Sequence, residues 1–412
     1  MASRRALRLA GGSPAIAAAH FQAEERPYDP ALDPDGYLNL GTAENRLLWD
    51  LLEPRLTCAR RLAAADIRYG LLYGTAALRE AVAAFLTRTR GAPVAADDLV
   101  VVSGATAALD IAATALCDPG EAIIIPSPYY GAFDVDLAGR SEARLVAAPG
   151  RRGDQFRPGP QALDRAIGRA WRAGLKPRAV ALASPSNPVG QVYGPDVLGE
   201  ILRVAAAHGL DVIADEIYAN SVFGPGSFTP MSALTGPMLP PGQVHTVWGF
   251  AKDFGLPGLK VGVLHTTDLA VRAAARELAY FAPVSTDTQA LLCSLLADPA
   301  WTDDFLAAGR ARLGDSYARV AGLLDKHQIG YLPAAAGFSV WIDLGPWLPG
   351  PGFEGESALW RRLWDEAHLN ILPGAEFHSP EPGWFRVCHA TDPAIVTEAI
   401  GRLAGLLQEQ AS

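Results

Sequence analysis

A chain of 412 residues, half of them hydrophobic and 19% charged, can bury a substantial core, and its mean hydropathy of +0.12 excludes a disordered polymer. Its length points to two domains, or to one large and one small lobe. A net charge of −9 and an isoelectric point near 5.4 argue against nucleic acid or an anionic membrane surface as the main partner.

The segment MASRRALRLAGGSPAIAAAH carries arginines before an apolar stretch, as a signal peptide would. GGSP interrupts that stretch, so the segment reads as a flexible N-terminal arm. No apolar run approaches the roughly 20 residues needed to span a bilayer. Cys58, Cys117, Cys293 and Cys388 are scattered, without CxxC or paired histidine spacing. That pattern speaks for reduced thiols in a cytoplasmic protein, and against a zinc site or a disulfide framework.

Alanine-rich helical patterns then alternate with short β-branched runs. LREAVAAFLTRTR predicts an amphipathic helix with Leu78, Val82, Ala83, Phe85 and Leu86 on one side. DDLVVVSGATAALDIAATAL reads as a strand, a tight glycine turn and a helix. EAIIIPSPYYGAF is a buried strand ending at two prolines, RAVALASPSNPVG a strand and turn, GLDVIADEIYAN a strand ending in acids, and VHTVWGFAKDFG one more. Short apolar strands between helices predict a mostly parallel sheet covered on both faces. From about Asp298, WTDDFLAAGRARLGDSYARVAGLLDKH predicts a long helix, and the β-like GFSVWIDL and GWFRVCHA point to a separate α+β lobe.

Ligands in such sheets bind beyond the carboxyl ends of the strands. The residues there are Gly104–Thr106, Tyr129–Tyr130, Asn187, Asp215–Tyr218 and Lys252. SGAT opens a helix, and its free N–H groups with the Thr106 hydroxyl suit a phosphate, although alone it is only a turn. Asp215 ends a buried strand and needs a partner, either a basic neighbour or a pyridinium N–H. Asn187 is a donor in what is otherwise an ordinary Asn-Pro turn. Lys252 follows a strand and, if buried with a lowered pKa, is a Schiff-base candidate. In the order phosphate turn, Asn, Asp, Tyr, Lys, the set is what pyridoxal 5′-phosphate requires. Lysine holds the aldehyde, aspartate keeps the ring nitrogen protonated, Asn187 and Tyr218 bond the ring 3-hydroxyl, and Tyr130 stacks on the ring.

Longer motifs sharpen this reading. GTAENRLLWDLL, the SGAT…YYGAFDVDL run, SPSNPVG, ADEIY, KDFGLPGLKVG and EPGWFRVCHA resemble those of fold-type I pyridoxal-phosphate enzymes of the class I/II aminotransferase family. Within that family the likeness is to 1-aminocyclopropane-1-carboxylate (ACC) synthases, from about Leu38 onward. The resemblance implies an α/β, aspartate-aminotransferase-like fold, with a large domain built on a mostly parallel seven-stranded sheet and a small α+β domain. The divisions expected are 1–60 for the N-terminal arm and part of the small domain, 61–297 for the large cofactor-binding domain, and 298–412 for the small domain.

It also implies roles. Lys252 would hold the cofactor and remove the Cα proton, and Asp215 would pair with the ring nitrogen. Asn187 and Tyr218 would hold the 3-hydroxyl. Gly104, Ala105 and Thr106 would hold the phosphate, with Lys260 standing where the family has arginine. Arg386 would clamp the substrate carboxylate, a task suited to a planar fork. Ala43 and Glu44 would line the substrate's reacting arm, the glutamate being associated with S-adenosylmethionine. Tyr69 or Tyr73 would reach a phosphate across the interface of a homodimer.

Two departures stand out. The family's serine–x–serine–lysine is Gly249-Phe250-Ala251-Lys252 here, and with Lys260 three ligands of the phosphate cup are altered together. Each lost hydrogen bond to a charged phosphate would be worth roughly 1.5–3 kcal/mol. His389 stands where the family tends to have phenylalanine, either as a polar group near the substrate or as a packed core histidine.

Three functions are then open. The first is a lyase or transferase that removes the Cα proton of S-adenosylmethionine and expels methylthioadenosine from Cγ. It would give the cyclopropane amino acid, or a vinylglycine-type species that couples to a second substrate, as in natural-product biosynthesis. The second is an ordinary aminotransferase working between an amino acid and a 2-oxo acid. The third is a degenerate cofactor-binding protein, supported only by the altered cup.

Overall fold

The structure is a computed structural model that describes all residues except 1, 4, 5, 8, 9, 11–14, 59–62, 65, 237 and 412. The expected division between residues 60 and 61 therefore lies outside the described residues. In chain order the strands are β1 (Leu38–Asn39), β2 (Leu99–Val102), β3 (Ala122–Ser127), β4 (Arg144–Pro149), β5 (Pro177–Ala183), β6 (Asp211–Asp215) and β7 (Val244–Gly249). They continue with β8 (Gly262–His265), β9 (Gly330–Leu332), β10 (Ser339–Asp343), β11 (Leu369–Asn370), β12 (Leu372–Pro373) and β13 (Trp384–Cys388).

Seven strands form one sheet in the order β2-β8-β7-β6-β5-β3-β4. All neighbours run parallel except β8, which is antiparallel to both β2 and β7. The alternation of side chains along each strand feeds opposite faces. Val100, Val102, Ile123 and Ile125 pack with helix Ala105–Leu116 on one face. Ile124, Val180 and Val212 pack with helices Pro160–Arg172 and Pro195–His208 on the other. Strands apolar on both sides are what such a sandwich demands.

Helix Ala76–Arg90 starts where the Thr75 hydroxyl accepts the N–H of Leu78 at 3.3 Å, and it stops at Gly91, in the left-handed region at φ 65°. Its apolar side, Leu78, Val82, Phe85 and Leu86, is fully buried against Leu99 and Val101. Helix Pro299–Lys326 leads to the second sheet, β12-β13-β10-β9, whose pairings are all antiparallel. That sheet is buried against helices Gly352–Asp365 and Pro393–Ala411.

The N-terminal segment returns to this second region. Strand β1 pairs in parallel with β11, Leu38 opposite Leu369 and Asn39 opposite Asn370. The arm read as flexible contains a helix, Ala15–Glu25. It is held because His20 Nδ1 lies 2.9 Å from Asn39 Nδ2 and 2.7 Å from Thr42 Oγ1, while Glu24 accepts from Asn39 at 3.0 Å. No helix among the described residues is long and apolar enough to cross a membrane.

Candidate active site

The carboxyl ends of β2, β3, β5, β6 and β7 open toward the strap Gly41–Glu44 and strand β13. Lys252 lies three residues beyond β7, and its Nζ donates to the Ala43 carbonyl at 2.5 Å. The side chain keeps some exposure, but its ammonium end is enclosed. Burial, helped by the nearby Arg386 cation, lowers its pKa to about 8, while Cys388, Glu44 and Asp215 pull the other way. A lysine in that range gives up its proton far more readily than an ordinary one and can then act as a nucleophile and a base.

Asp215, the last residue of β6, is 7% exposed, and one carboxylate oxygen accepts the Ile217 N–H at 3.1 Å. Burial pushes its pKa up to about 7. No cation pairs with it among the described residues, so a pyridinium N–H is the partner its position calls for. Tyr218, three residues on, is 4% exposed, and burial pushes its phenol up. Tyr130 is partly buried, edge-on to Phe133 at 5.6 Å, and close enough to Asp215 and Arg386 for their charges to act on its hydroxyl.

Arg386 sits in β13, opposite Trp341 of β10, and is 3% exposed. Its Nη1 donates to Asn187 Oδ1 at 3.0 Å and its Nη2 to the Gly41 carbonyl at 2.5 Å, with the guanidinium 4.7 Å above the Phe377 ring. Nε has no hydrogen-bond partner, and no carboxylate pairs with this arginine among the described residues. A buried guanidinium without an anion costs free energy until one arrives, which fits a clamp for a substrate carboxylate. Because Asn187 spends its oxygen on Arg386, its amide nitrogen is the donor left for a cofactor oxygen.

At the other end, Gly104 turns at φ 92° into helix Ala105–Leu116, with no side chain capping the first N–H groups. Strand β8 presses on this turn, since a Cβ on Gly262 would stand 2.3 Å from the Gly104 carbonyl carbon. Lys260 Cδ lies 3.9 Å from where a Gly104 Cβ would be, so its side chain runs along the turn. Thr106 bonds the carboxyl of Asp136, a buried acid whose pKa burial raises to about 7 and the Lys260 charge pulls back. Gly249 is a steric requirement of this backbone, because a Cβ there would stand 2.7 Å from the Val261 carbonyl oxygen. Ala251 faces the apolar cluster of Ile217, Leu313 and Phe338.

Lys252, Asp215, Tyr218, Tyr130, Asn187, Arg386 and Ala43 are thus gathered at one end, and Gly104, Ala105, Thr106 and Lys260 at the other. Glu44 stands beside this group, its carboxylate 3.2 Å from Arg46. Of the two tyrosines, Tyr73 packs against the apolar cluster that also holds Ala105 and Tyr130. Tyr69 is fully exposed, whereas the Tyr73 ring is held between the guanidinium groups of Arg79, at 5.1 Å, and Arg276, at 4.6 Å. His389 is buried, edge-on to Phe223 at 5.9 Å, and burial pushes its pKa down to about 3, so it is a neutral packed ring.

Three polar residues here escaped the sequence reading. Asp136 was one of two acids in YYGAFDVDL with nothing to mark it, and Arg46 stood two residues from Glu44 in AENRL, a spacing that the sequence reading did not use. Asp253 was quoted only as the neighbour of Lys252. It is 4% exposed and accepts from Trp248 Nε1 at 3.0 Å, Ser221 Oγ at 2.7 Å, and Asn220 N at 3.1 Å and Nδ2 at 2.9 Å, tying the Lys252 turn to the segment after Tyr218.

The sequence pattern of aminotransferase class I and II matches residues 36–403. The chain belongs to that family. It is 34% identical over 403 residues to 1-aminocyclopropane-1-carboxylate synthase 2 of Cucurbita pepo, covering 93% of this chain and 81% of the relative. To 1-aminocyclopropane-1-carboxylate synthase 3 of Oryza sativa subsp. japonica it is 37% identical over 390 residues, covering 89% and 86%. Its fold is similar to that of the aspartate aminotransferase from Thermus thermophilus solved with maleate, with a TM-score of 0.85 over 98% of this chain and 99% of that one, at 24% identity. The aspartate-aminotransferase-like fold is therefore shown, and the cofactor of this family member is pyridoxal 5′-phosphate.

Proposed function

We propose that this enzyme takes S-adenosylmethionine, removes its Cα proton and releases methylthioadenosine from Cγ. The observation that carries the reading is that Lys252 Nζ donates to the Ala43 carbonyl at 2.5 Å, which holds it to the residue before Glu44, in a chain 34% identical over 93% of its length to an ACC synthase. When bound, the cofactor supplies an electron sink for the charge left at Cα. Lys252 takes the proton, and Asp215 keeps the ring nitrogen charged. Arg386 fixes the substrate carboxylate, which orients the Cα–H bond toward Lys252. Glu44 receives the sulfonium arm, and the sulfonium is a good leaving group without acid assistance. Ring closure and coupling to a second substrate share the removal of the Cα proton; in the first, Cα attacks Cγ as the Cγ–S bond breaks, and in the second a further proton leaves Cβ before methylthioadenosine departs.

A homodimer belongs to the same proposal. Ile67, Tyr69, Tyr280 and Phe281 are 81%, 105%, 65% and 75% exposed. The turn after Phe281 bonds the phosphate turn, with Ser103 N donating to the Ala282 carbonyl at 2.9 Å and Ser103 Oγ to the Pro283 carbonyl at 2.7 Å. An apolar patch beside a phosphate site suits a second copy of the chain, and Tyr69, being free, is the tyrosine to cross.

The test is incubation of the holoenzyme with S-adenosylmethionine, alone and with candidate co-substrates, followed by mass spectrometry. Methylthioadenosine release is expected. Its absence, with a 2-oxo acid formed from another amino acid instead, replaces this reading with transamination.

A further inference from the structure

The cation that faces Glu44 is supplied by the protein itself. Arg46 places Nε and Nη2 each 3.2 Å from Glu44 Oε2. The same Nη2 lies 3.4 Å from Glu24 Oε1, on helix Ala15–Glu25. One guanidinium is therefore shared between a carboxylate beside Lys252 and a carboxylate on the N-terminal helix. The backbone beneath it is fixed, with Arg46 N donating to the Ala390 carbonyl at 2.8 Å. The side chains of Arg46, Glu24 and Glu44 are 45%, 40% and 34% exposed, so an arriving ligand can reach all three.

We propose that Arg46 is a specificity-determining residue, an internal cation that competes with the substrate's arm for Glu44 and so sets how strongly the site prefers a cationic arm to a neutral one. The proposal rests on the reading that Glu44 receives the sulfonium. Glu44 carries one charge, and the arm must displace the guanidinium or share that charge with it. Glu24 makes the exchange feasible. A guanidinium that leaves Glu44 keeps a carboxylate partner, and no charge is stranded. Glu24 thus acts through Arg46, as the seat that draws it away.

The experiment is spectral titration of the holoenzyme with S-adenosylmethionine and with S-adenosylhomocysteine, which carries the same adenosyl arm without the sulfonium charge. The quantity read is the ratio of the two affinities. Arg46→Gln is expected to raise that ratio about fivefold, the scale of a solvent-accessible ion pair. Glu24→Gln removes the alternative seat and lowers the ratio. In a Glu44→Gln background, Arg46→Gln has no further effect. A ratio unmoved by Arg46→Gln, or moved equally without Glu44, overturns the proposal while leaving the substrate reading intact. If neither ligand perturbs the wild-type spectrum, the substrate reading fails, and the role of Arg46 fails with it.

Discussion

At the ring end of the site, Asp215, Asn187, Tyr218 and Arg386 are each 9% exposed or less and come from β6, β13 and the turns beyond β5 and β6. At the end proposed for the phosphate, Thr106 is exposed, Lys260 offers a point charge, and Asp136 sets a carboxyl beside the Thr106 hydroxyl. The contrast teaches where each end gets its strength. The ring end uses buried, mutually oriented groups whose charges are felt strongly in a low-dielectric interior. The proposed phosphate end would rely on the uncapped N–H groups of helix Ala105–Leu116, which tolerate changes of side chain.

The largest effect is expected at the ring end. Lys252→Ala should lower turnover by roughly 10²–10⁴-fold or more. It should also abolish the cofactor–protein bond trapped by borohydride, read as a mass shift on the peptide that carries residue 252. A trapped bond that survives the substitution would break the assignment.

Next comes a pH effect at Asp215, whose folded pKa of about 7 stands above the ordinary carboxylate value of about 3.9. Between those values the folded apoprotein holds a proton that the unfolded chain has lost, so stability falls as pH rises through that window. Relative to Asp215→Asn, wild-type apoprotein should therefore be more stable near pH 4 than near pH 8. Bound cofactor should flatten the difference, because a pyridinium favours the charged carboxylate. Thermal melts of both proteins across pH measure it, and parallel curves would show that the Asp215 carboxyl is not raised.

Three smaller effects probe the phosphate end. Asp136, with its pKa raised to about 7, gains a negative charge as pH rises through that value, beside a phosphate already anionic. Wild-type cofactor affinity should then decline above neutral pH relative to Asp136→Asn, by fluorescence titration. Identical pH profiles would place Asp136 outside the cup. Last, Lys260→Arg should tighten the cofactor by a few-fold, since a fork replaces a point charge. Gly249→Ser should destabilise the fold instead, because its Cβ meets the Val261 carbonyl. Unchanged binding by Lys260→Arg would show that the cup does not use residue 260, and unchanged stability of Gly249→Ser would mean that β8 can yield.

Much of this was legible in the linear chain. Four buried apolar residues at Leu99–Val102 followed by a glycine turn and an alanine-rich helix dictate β2, the turn and helix Ala105–Leu116, because a continuous apolar run gives way to a 3.6-residue pattern there. The polar residues at the strand ends were equally visible, since each interrupts an apolar run. Three things were decided only by the tertiary structure. Gly249 looked like a missing hydroxyl, and the approach of Val261 makes it a steric necessity. Tyr69 and Tyr73 were equivalent in sequence, and two arginines, one of them 203 positions beyond Tyr73, hold only the second. The sharing of Arg46 between Glu44 and Glu24 joins the strap to the helix Ala15–Glu25. Local pattern fixes which face a residue shows, while the charge it meets depends on chain segments that only folding brings together.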